Sequence, residues 1–283
     1  MSRVARLTPS LALLPFLAYL AVFLVVPTMT VLVGAFTEGG SFSLTNLQAL
    51  GSDAALHALW TSVVLSGSTA VIGGLLGALL AYLVVTRPET SFVRRAVTSA
   101  AGVLAQAGGV SLAFMFIATL GFSGFVTEAV RSSLGIDLFG AGWLYKLPGL
   151  ILVYCYFQIP LMVIVFMPAL QGLRSELREA ATNLGASTWQ YWTKVGIPML
   201  RPAFLGAVLL LFANAFAAYA TAAALIGQGQ PITPLFIRSA LTSEVLLGRQ
   251  NLAYALALEM VVVVAVLMTL YALLLRRTSR WLR

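Results

Sequence analysis

The chain has 283 residues, 60% of them hydrophobic and 9% charged, with 17 basic against 9 acidic residues and a formal charge of +8. Soluble domains carry roughly 25% charged residues, so this composition excludes a water-soluble globular domain, and the basic excess is explained by its placement along the chain rather than by nucleic acid. A single cysteine, Cys155, excludes an internal disulfide and a cysteine zinc cluster, and a single histidine, His57, argues against a histidine metal site or triad.

A helix needs about 20 apolar residues to cross about 30 Å of hydrocarbon. Six segments qualify: Leu11–Phe36, Trp60–Val85, Ala96–Leu120, Leu150–Leu170, Ala203–Ile226 and Ala253–Leu275. The expected fold is therefore an all-α polytopic membrane protein, a single transmembrane domain over residues 1–283. Arg3 and Arg6 precede the first span, which lacks a small-residue cleavage site before a soluble domain and reads as a retained anchor. Pro15 and Pro27 are its candidate kinks. Gly73, Gly74, Gly77, Gly102, Gly108 and Gly109 mark the second and third spans as places of close helix packing. The third also carries Ser99, Gln106 and Ser111, and is open to being broken or to lying against protein rather than lipid.

The connections at Thr37–Ala58, Gly121–Pro148 and Gly227–Leu252 are too short to hold a substrate-binding domain. The second contains FVTEAVRSSLG, read as a short interfacial helix, then Trp143 and Tyr145 as membrane anchors; the third combines turn chemistry with another short helix. Loop charges orient the bundle. Arg3, Arg6, Arg87, Arg94, Arg95, Arg174, Arg178, Lys194, Arg201, Arg276, Arg277, Arg280 and Arg283 share one side; Arg131, Lys146, Arg238 and Arg249 take the other. By the positive-inside rule the first side, with both termini, is cytoplasmic.

Ionisable and polar residues inside a span are costly and mark candidate sites. Glu259 in the last span either faces a translocation cavity, where it attracts a cation, or is satisfied by a neighbouring helix. Gln158 beside Pro160, and Asn214 with Tyr219, are likewise candidates for solute contact or for helix–helix hydrogen bonds. No phosphate-binding loop, nucleophile–base pair or metal-ligand cluster is visible, so the chain is not expected to be an enzyme or to bind a cofactor.

The longest polar interval is Gln171–Pro202. Leu173, Leu177, Ala180, Ala181 and Leu184 recur at helical spacing, with Glu176, Glu179 and Asn183 opposite. Ser175 is the expected N-cap, Gly185 the left-handed terminator, and Ser187 with Gln190 a capping box opening a second helix that stops near Pro198. Trp189, Tyr191 and Trp192 are expected to hold this bent pair at the membrane face.

Within this interval Glu179-Ala180-Ala181, Gly185 after the regular gap, then Val195, Ile197 and Pro198, resemble the cytoplasmic EAA signature (E-A-A-x3-G-x9-I-x-L-P) of permease subunits of bacterial ATP-binding-cassette importers. The resemblance implies a type I (MetI-like) permease in the bacterial cytoplasmic membrane, in which Glu179, Ala180, Ala181, Gly185, Ala186, Val195, Ile197 and Pro198 form the coupling site for an ATPase subunit. It implies as partners two cytosolic ATPase subunits carrying ATP and Mg, a second homologous permease and an extracytoplasmic solute-binding protein. ATP would draw the coupling helices together and rock the bundles from inward-facing to outward-facing.

Leu184-Gly185-Ala186-Ser187 looks like the polyamine, sulfate, thiamine and ferric-iron group. Ala218-Tyr219-Ala220-Thr221 with Leu225-Ile226-Gly227 resembles the AYATP…LLGG stretch of spermidine/putrescine permeases, although Ala222 replaces the usual proline. A polyamine or similar organic cation is thus the expected solute. The alternatives are an aminophosphonate, thiamine, sulfate or iron, or an ATP-independent secondary transporter.

Overall fold

The computed structural model describes residues 15–140, 142–173, 175–226, 232–242 and 250–279. The expected charges at Arg3, Arg6, Arg174, Arg249, Arg280 and Arg283, and Gly227 of the polyamine-type stretch, lie outside the described residues, as do the side chains of Arg276 and Arg277. Among the described residues, six helical stretches are long and apolar enough to cross a membrane: Pro15–Ala35, Asp53–Val85, Val110–Leu134, Leu147–Gln171, Thr188–Ala217 and Asn251–Leu273. The chain forms two compact units, Met1–Leu56 with Phe236–Val262, and His57–Leu235 with Val263–Arg283.

In the first unit, helix α1 (Pro15–Ala35) takes one wide π turn at Ala21–Val25, where the Val26 N–H donates to the Ala21 carbonyl. That turn ends two residues before Pro27. A π turn shifts the hydrogen-bond register ahead of a residue that has no N–H, so Pro27 is accommodated without breaking the helix. The following connection contains a two-stranded hairpin, β1 (Thr37–Glu38) and β2 (Ser41–Phe42), an exception to the expected all-helical fold. Its turn is Gly39-Gly40, with φ of 58° and 84°; positive φ at both positions is what a tight two-residue hairpin loop requires. The Asn46 and Asn251 side-chain amides both donate to the Thr37 carbonyl. Helix α2 (Thr45–Ala49) follows, and Ala55, Leu252 and Leu256 form a small core against Phe236 and Ile237.

The second unit is built around a central helix, Leu147–Gln171, which buries Val153, Tyr154, Phe157, Met162, Val163 and Phe166. Helix α3 (Asp53–Val85) lies against it through glycines. A Cβ on Gly77 would stand 2.5 Å from Met162 Cβ, and one on Gly73 would stand 2.8 Å from Gln158 Cβ. The expected close packing at these two positions is present. Gly102 and Gly108 have open space instead, so the glycines of the third span serve another purpose.

That span is not continuous. Helix α4 (Phe92–Leu104) ends, residues 105–109 are non-helical, and helix α5 (Val110–Leu120) starts after Gly109, whose φ is 84°. The expected single span Ala96–Leu120 is thus two helices, because Gly109 holds a conformation an α-helix cannot contain. Helix α6 (Phe125–Leu134) falls where a short interfacial helix was expected and ends at Gly135, φ 67°, but with α5 it makes up the apolar stretch Val110–Leu134, so the third span lies later than the expected Ala96–Leu120. From its last turn Arg131 reaches Asp137 at 3.1 Å, which holds the Asp137 carboxyl below its ordinary range. Helix α7 is the central Leu147–Gln171.

Helices α8 (Ser175–Asn183), α9 (Thr188–Tyr191) and α10 (Ile197–Ala217) form the polar interval and the fifth span. The expected stop near Pro198 does not occur. A second π turn, Trp192–Gly196, joins α9 to α10, and the Ile197 N–H donates to the Trp192 carbonyl. As before Pro27, the wide turn ends two residues ahead of the proline, so the helix runs on. The expected fifth span Ala203–Ile226 is interrupted at Ala218 (φ −73°, ψ 110°) before helix α11 (Ala220–Leu225). In helix α12 (Thr233–Thr242) the Thr233 N–H donates to Ser62 Oγ at 2.8 Å. The last helix is α13 (Gln250–Ser279), and Tyr271 donates its hydroxyl to the Pro202 carbonyl at 2.7 Å.

Candidate functional site

Two sites emerge, both in the second unit. The first is the bend between α8 and α9. Gly185 takes φ 75° and its N–H donates to the Thr182 carbonyl, while the Ala186 N–H reaches back to the Ala181 carbonyl, both at 2.9 Å. Such a paired closure terminates a helix with glycine in the left-handed position. Two residues on, Ser187 Oγ accepts from the Gln190 N–H at 3.2 Å, and Gln190 Oε1 accepts from the Ser187 N–H at 2.8 Å. The expected terminator and capping box are both present. Ser175, expected as N-cap, is already the first helical residue.

The bend presents a defined surface. Glu179 and Ala180 are exposed, Ala181 and Ala186 are half-buried, and a Cβ on Gly185 would meet nothing within 4 Å. Leu184 is 87% exposed. It was expected on one apolar stripe with Leu173 and Leu177; it lies past Asn183, the last residue of α8, and stands open. An exposed leucine between a left-handed glycine and a charged helix is the residue whose role the spacing did not reveal. Of the expected aromatic anchors only Trp189 is free, at 76% exposed. Tyr191 is buried, and Trp192 packs edge-on against Tyr82 with its ring over Gly196, because the π turn rotates both side chains into the bundle. Val195 is half-buried, while Ile197 and Pro198 are exposed.

The second site lies where the two interruptions face each other. The Gly109 N–H donates to Thr221 Oγ1 at 2.8 Å, which ties the break at 105–109 to the break at Ala218. Tyr154 donates its hydroxyl to the Ala218 carbonyl at 2.7 Å and so satisfies the acceptor that the second break frees. Between them is a cavity of about 320 Å³ whose polar lining comes from Gln106, Asn214, Tyr219 and Thr221 with the backbone of Gly108 and Gly109. The lining holds no carboxylate and no basic side chain.

Gln158, an expected pathway residue, is fully buried behind this cavity. Its Nε2 donates to the Leu211 carbonyl at 2.7 Å, and its Oε1 accepts from Asn214 Nδ2 at 3.4 Å. It positions Asn214, whereas Asn214 and Tyr219 line the cavity directly. Glu259 belongs to the other unit, half-buried, with Oε2 lacking a partner among the described residues. Gln106 and Thr221 were legible as polar residues in small-residue stretches, but Tyr154 carried no signal: only the break at Ala218 gives its hydroxyl a purpose. Among the described residues no group of three His, Cys, Asp or Glu side chains is placed to hold a metal ion.

Six apolar spans among the described residues, with non-helical breaks at 105–109 and Ala218 meeting beside a neutral polar cavity, define a helical membrane protein. The chain belongs to the family described as "Binding-protein-dependent transport system inner membrane component", whose sequence profile matches residues 103–280. It is 24% identical over 289 residues to the sulfate transport system permease protein CysW of Synechococcus elongatus, covering 98% of this chain and 95% of that one. It is 28% identical to CysW of Escherichia coli over 74% of this chain and 68% of that one. Against the ferric transport system permease protein FbpB of Actinobacillus pleuropneumoniae it is 25% identical over 77% of its length and spans only 31% of the relative. The fold matches a chain of a bacterial ABC transporter involved in the import of the acidic polysaccharide alginate, with a TM-score of 0.78 at 20% identity over 95% of each chain. The MetNI methionine ABC transporter matches with a TM-score of 0.56 at 16% identity.

Proposed function

We propose that this chain is one permease subunit of an ATP-driven importer in the cytoplasmic membrane and that the α8–α9 bend is its contact with a cytosolic ATPase subunit. The observation that carries the reading is the bend itself: a closed glycine terminus and a capping box fix its shape while Leu184 and the Gly185 backbone stay open to solvent. With Trp189 also open on the same bend, Leu184 offers a partner an apolar contact beside the exposed backbone. Glu179 supplies a charge for a basic side chain on the ATPase, and Ala180, Ala181 and Ala186 allow close approach. ATP and Mg act on that subunit, and this chain supplies motion and pathway rather than bond chemistry.

Two copies, or this chain and a homologue, enclose the route, and a separate solute-binding protein delivers the cargo; the family description and a solved alginate transporter in complex with its periplasmic protein support that assembly. For the solute we favour a small oxyanion of the sulfate kind over the expected polyamine. A polycation calls for carboxylates, and the cavity lining offers amide, hydroxyl and backbone groups instead; a relative matched along nearly its whole length is a sulfate permease. Co-purification tests the coupling: Leu184→Asp should lose the ATPase that the natural chain retains, and equal retention rejects the docking role. Competition by sulfate and by putrescine for uptake into vesicles holding the assembled importer tests the solute, and inhibition by putrescine alone restores the polyamine.

A further inference from the structure

Below the bend, three helices of the second unit enclose an apolar groove of about 870 Å³. Its walls are helical stripes. Leu75, Leu79 and Tyr82 come from α3, and Phe166 with Leu170 from α7. The third wall is α10, where Phe204 meets Phe166 edge-on at 5.7 Å. Along α3 the stripe runs about 10 Å at 1.5 Å per residue. The groove is one-sided in chemistry: the deep end is entirely apolar, and the shallow end holds Thr188, Trp189 and Arg201.

That shallow end coincides with the ends of three spans. Tyr82 and Leu170 are in the last turns of α3 and α7, and Thr188 is the first residue of α9. It therefore lies at the level of the lipid headgroups. Arg201 is exposed and, among the described residues, is paired with no carboxylate. Trp189 is the one interfacial aromatic left open by the π turn.

We propose that this groove binds an anionic phospholipid, with an acyl chain between α3, α7 and α10 and the phosphate on the Arg201 guanidinium. Arginine suits a phosphate through its planar, multiply donating head, and a tryptophan at headgroup depth supplies an apolar body with an N–H at its edge. Charge selects this occupant over a second protein helix. An apolar helix seated in the groove would cover Arg201 without offering it a counter-charge, which is costly. A lipid fills the apolar length and neutralises the arginine at once. The site is independent of the importer reading, since it needs neither ATPase nor solute.

The test uses the full chain, extracted in detergent and exchanged into nanodiscs of phosphatidylcholine with a minor fraction of phosphatidylglycerol, followed by mass spectrometry of retained lipid. The natural chain should retain phosphatidylglycerol in preference to phosphatidylcholine. Arg201→Gln should lower that preference about five-fold, the effect of one basic side chain near an anionic headgroup. Leu79→Trp, which fills the groove and leaves Arg201 in place, should remove bound lipid of either kind. Equal phosphatidylglycerol retention by Arg201→Gln would overturn the proposal. So would unchanged retention by Leu79→Trp, or displacement of the lipid by inorganic phosphate alone, since a headgroup site without the groove would then account for it. Disulfide capture of a second copy through Leu79→Cys would also overturn it, by giving the groove to protein.

Discussion

Gly185 separates what the chain needs from what a partner needs. Its φ of 75° is one that an L-residue adopts at a cost of roughly 1–2 kcal/mol, and a Cβ placed there touches nothing within 4 Å. Gly185→Ala and Gly185→Trp should therefore destabilise the isolated chain alike, by that backbone cost alone, about a 5–30-fold shift in the equilibrium for ordering the bend. Gly185→Asn should cost less, because asparagine tolerates the left-handed region. Thermal unfolding of the three variants in detergent reads this first arm. The second arm is titration with the ATPase subunit, where only steric exclusion distinguishes the variants. Tryptophan should abolish binding that alanine merely weakens. If tryptophan and alanine bind the ATPase equally, no surface packs against Gly185 and the docking assignment fails; if tryptophan alone unfolds the chain, the bend is not open as described.

Three further outcomes follow from the packing. Ser187→Ala removes the hydroxyl that accepts the Gln190 N–H and should cost about 1 kcal/mol, read as faster proteolysis between residues 184 and 190 with the spans intact. Gly77→Ala places a methyl 2.5 Å from Met162 Cβ and 2.6 Å from the Ile159 carbonyl, so it should destabilise by about 1–3 kcal/mol, whereas Gly67→Ala on the same helix meets open space and should stabilise by up to about 1 kcal/mol; paired melting curves decide the sign. For the loop after α6, the bond from Arg131 depresses the Asp137 carboxyl. Its contribution is then full above the ordinary carboxylate range and is lost as pH falls through the lower, folded value. Amide exchange at Phe139, whose N–H donates to Asp137 Oδ1, should lose protection in strong acid, and Asp137→Ala should remove that protection at neutral pH.

The number of spans, a bent helix pair and the residues that shape the bend were legible in the residues alone, although the third span was read too early along the chain. Each follows from short-range physics: apolar length against bilayer thickness, glycine freedom at Gly185, and a serine three residues before a glutamine. The sequence also supplied Gly73 and Gly77 as packing positions. Where those helices stop, and what their polar atoms meet, depends on the packed fold. Pro198 reads as a stop because proline lacks a donor, yet a π turn two residues earlier shifts the register and lets the helix pass. Ala218 has no intrinsic tendency to break a helix; Tyr154, 64 positions away along the chain, accepts the break by binding its carbonyl. Gln158 was open to solute contact or to a helix–helix hydrogen bond, and it makes the second, through the Leu211 carbonyl and Asn214 across the helix interface. Local rules fix a residue's conformational range. Which part of that range is used depends on hydrogen-bond partners that the fold brings from distant spans.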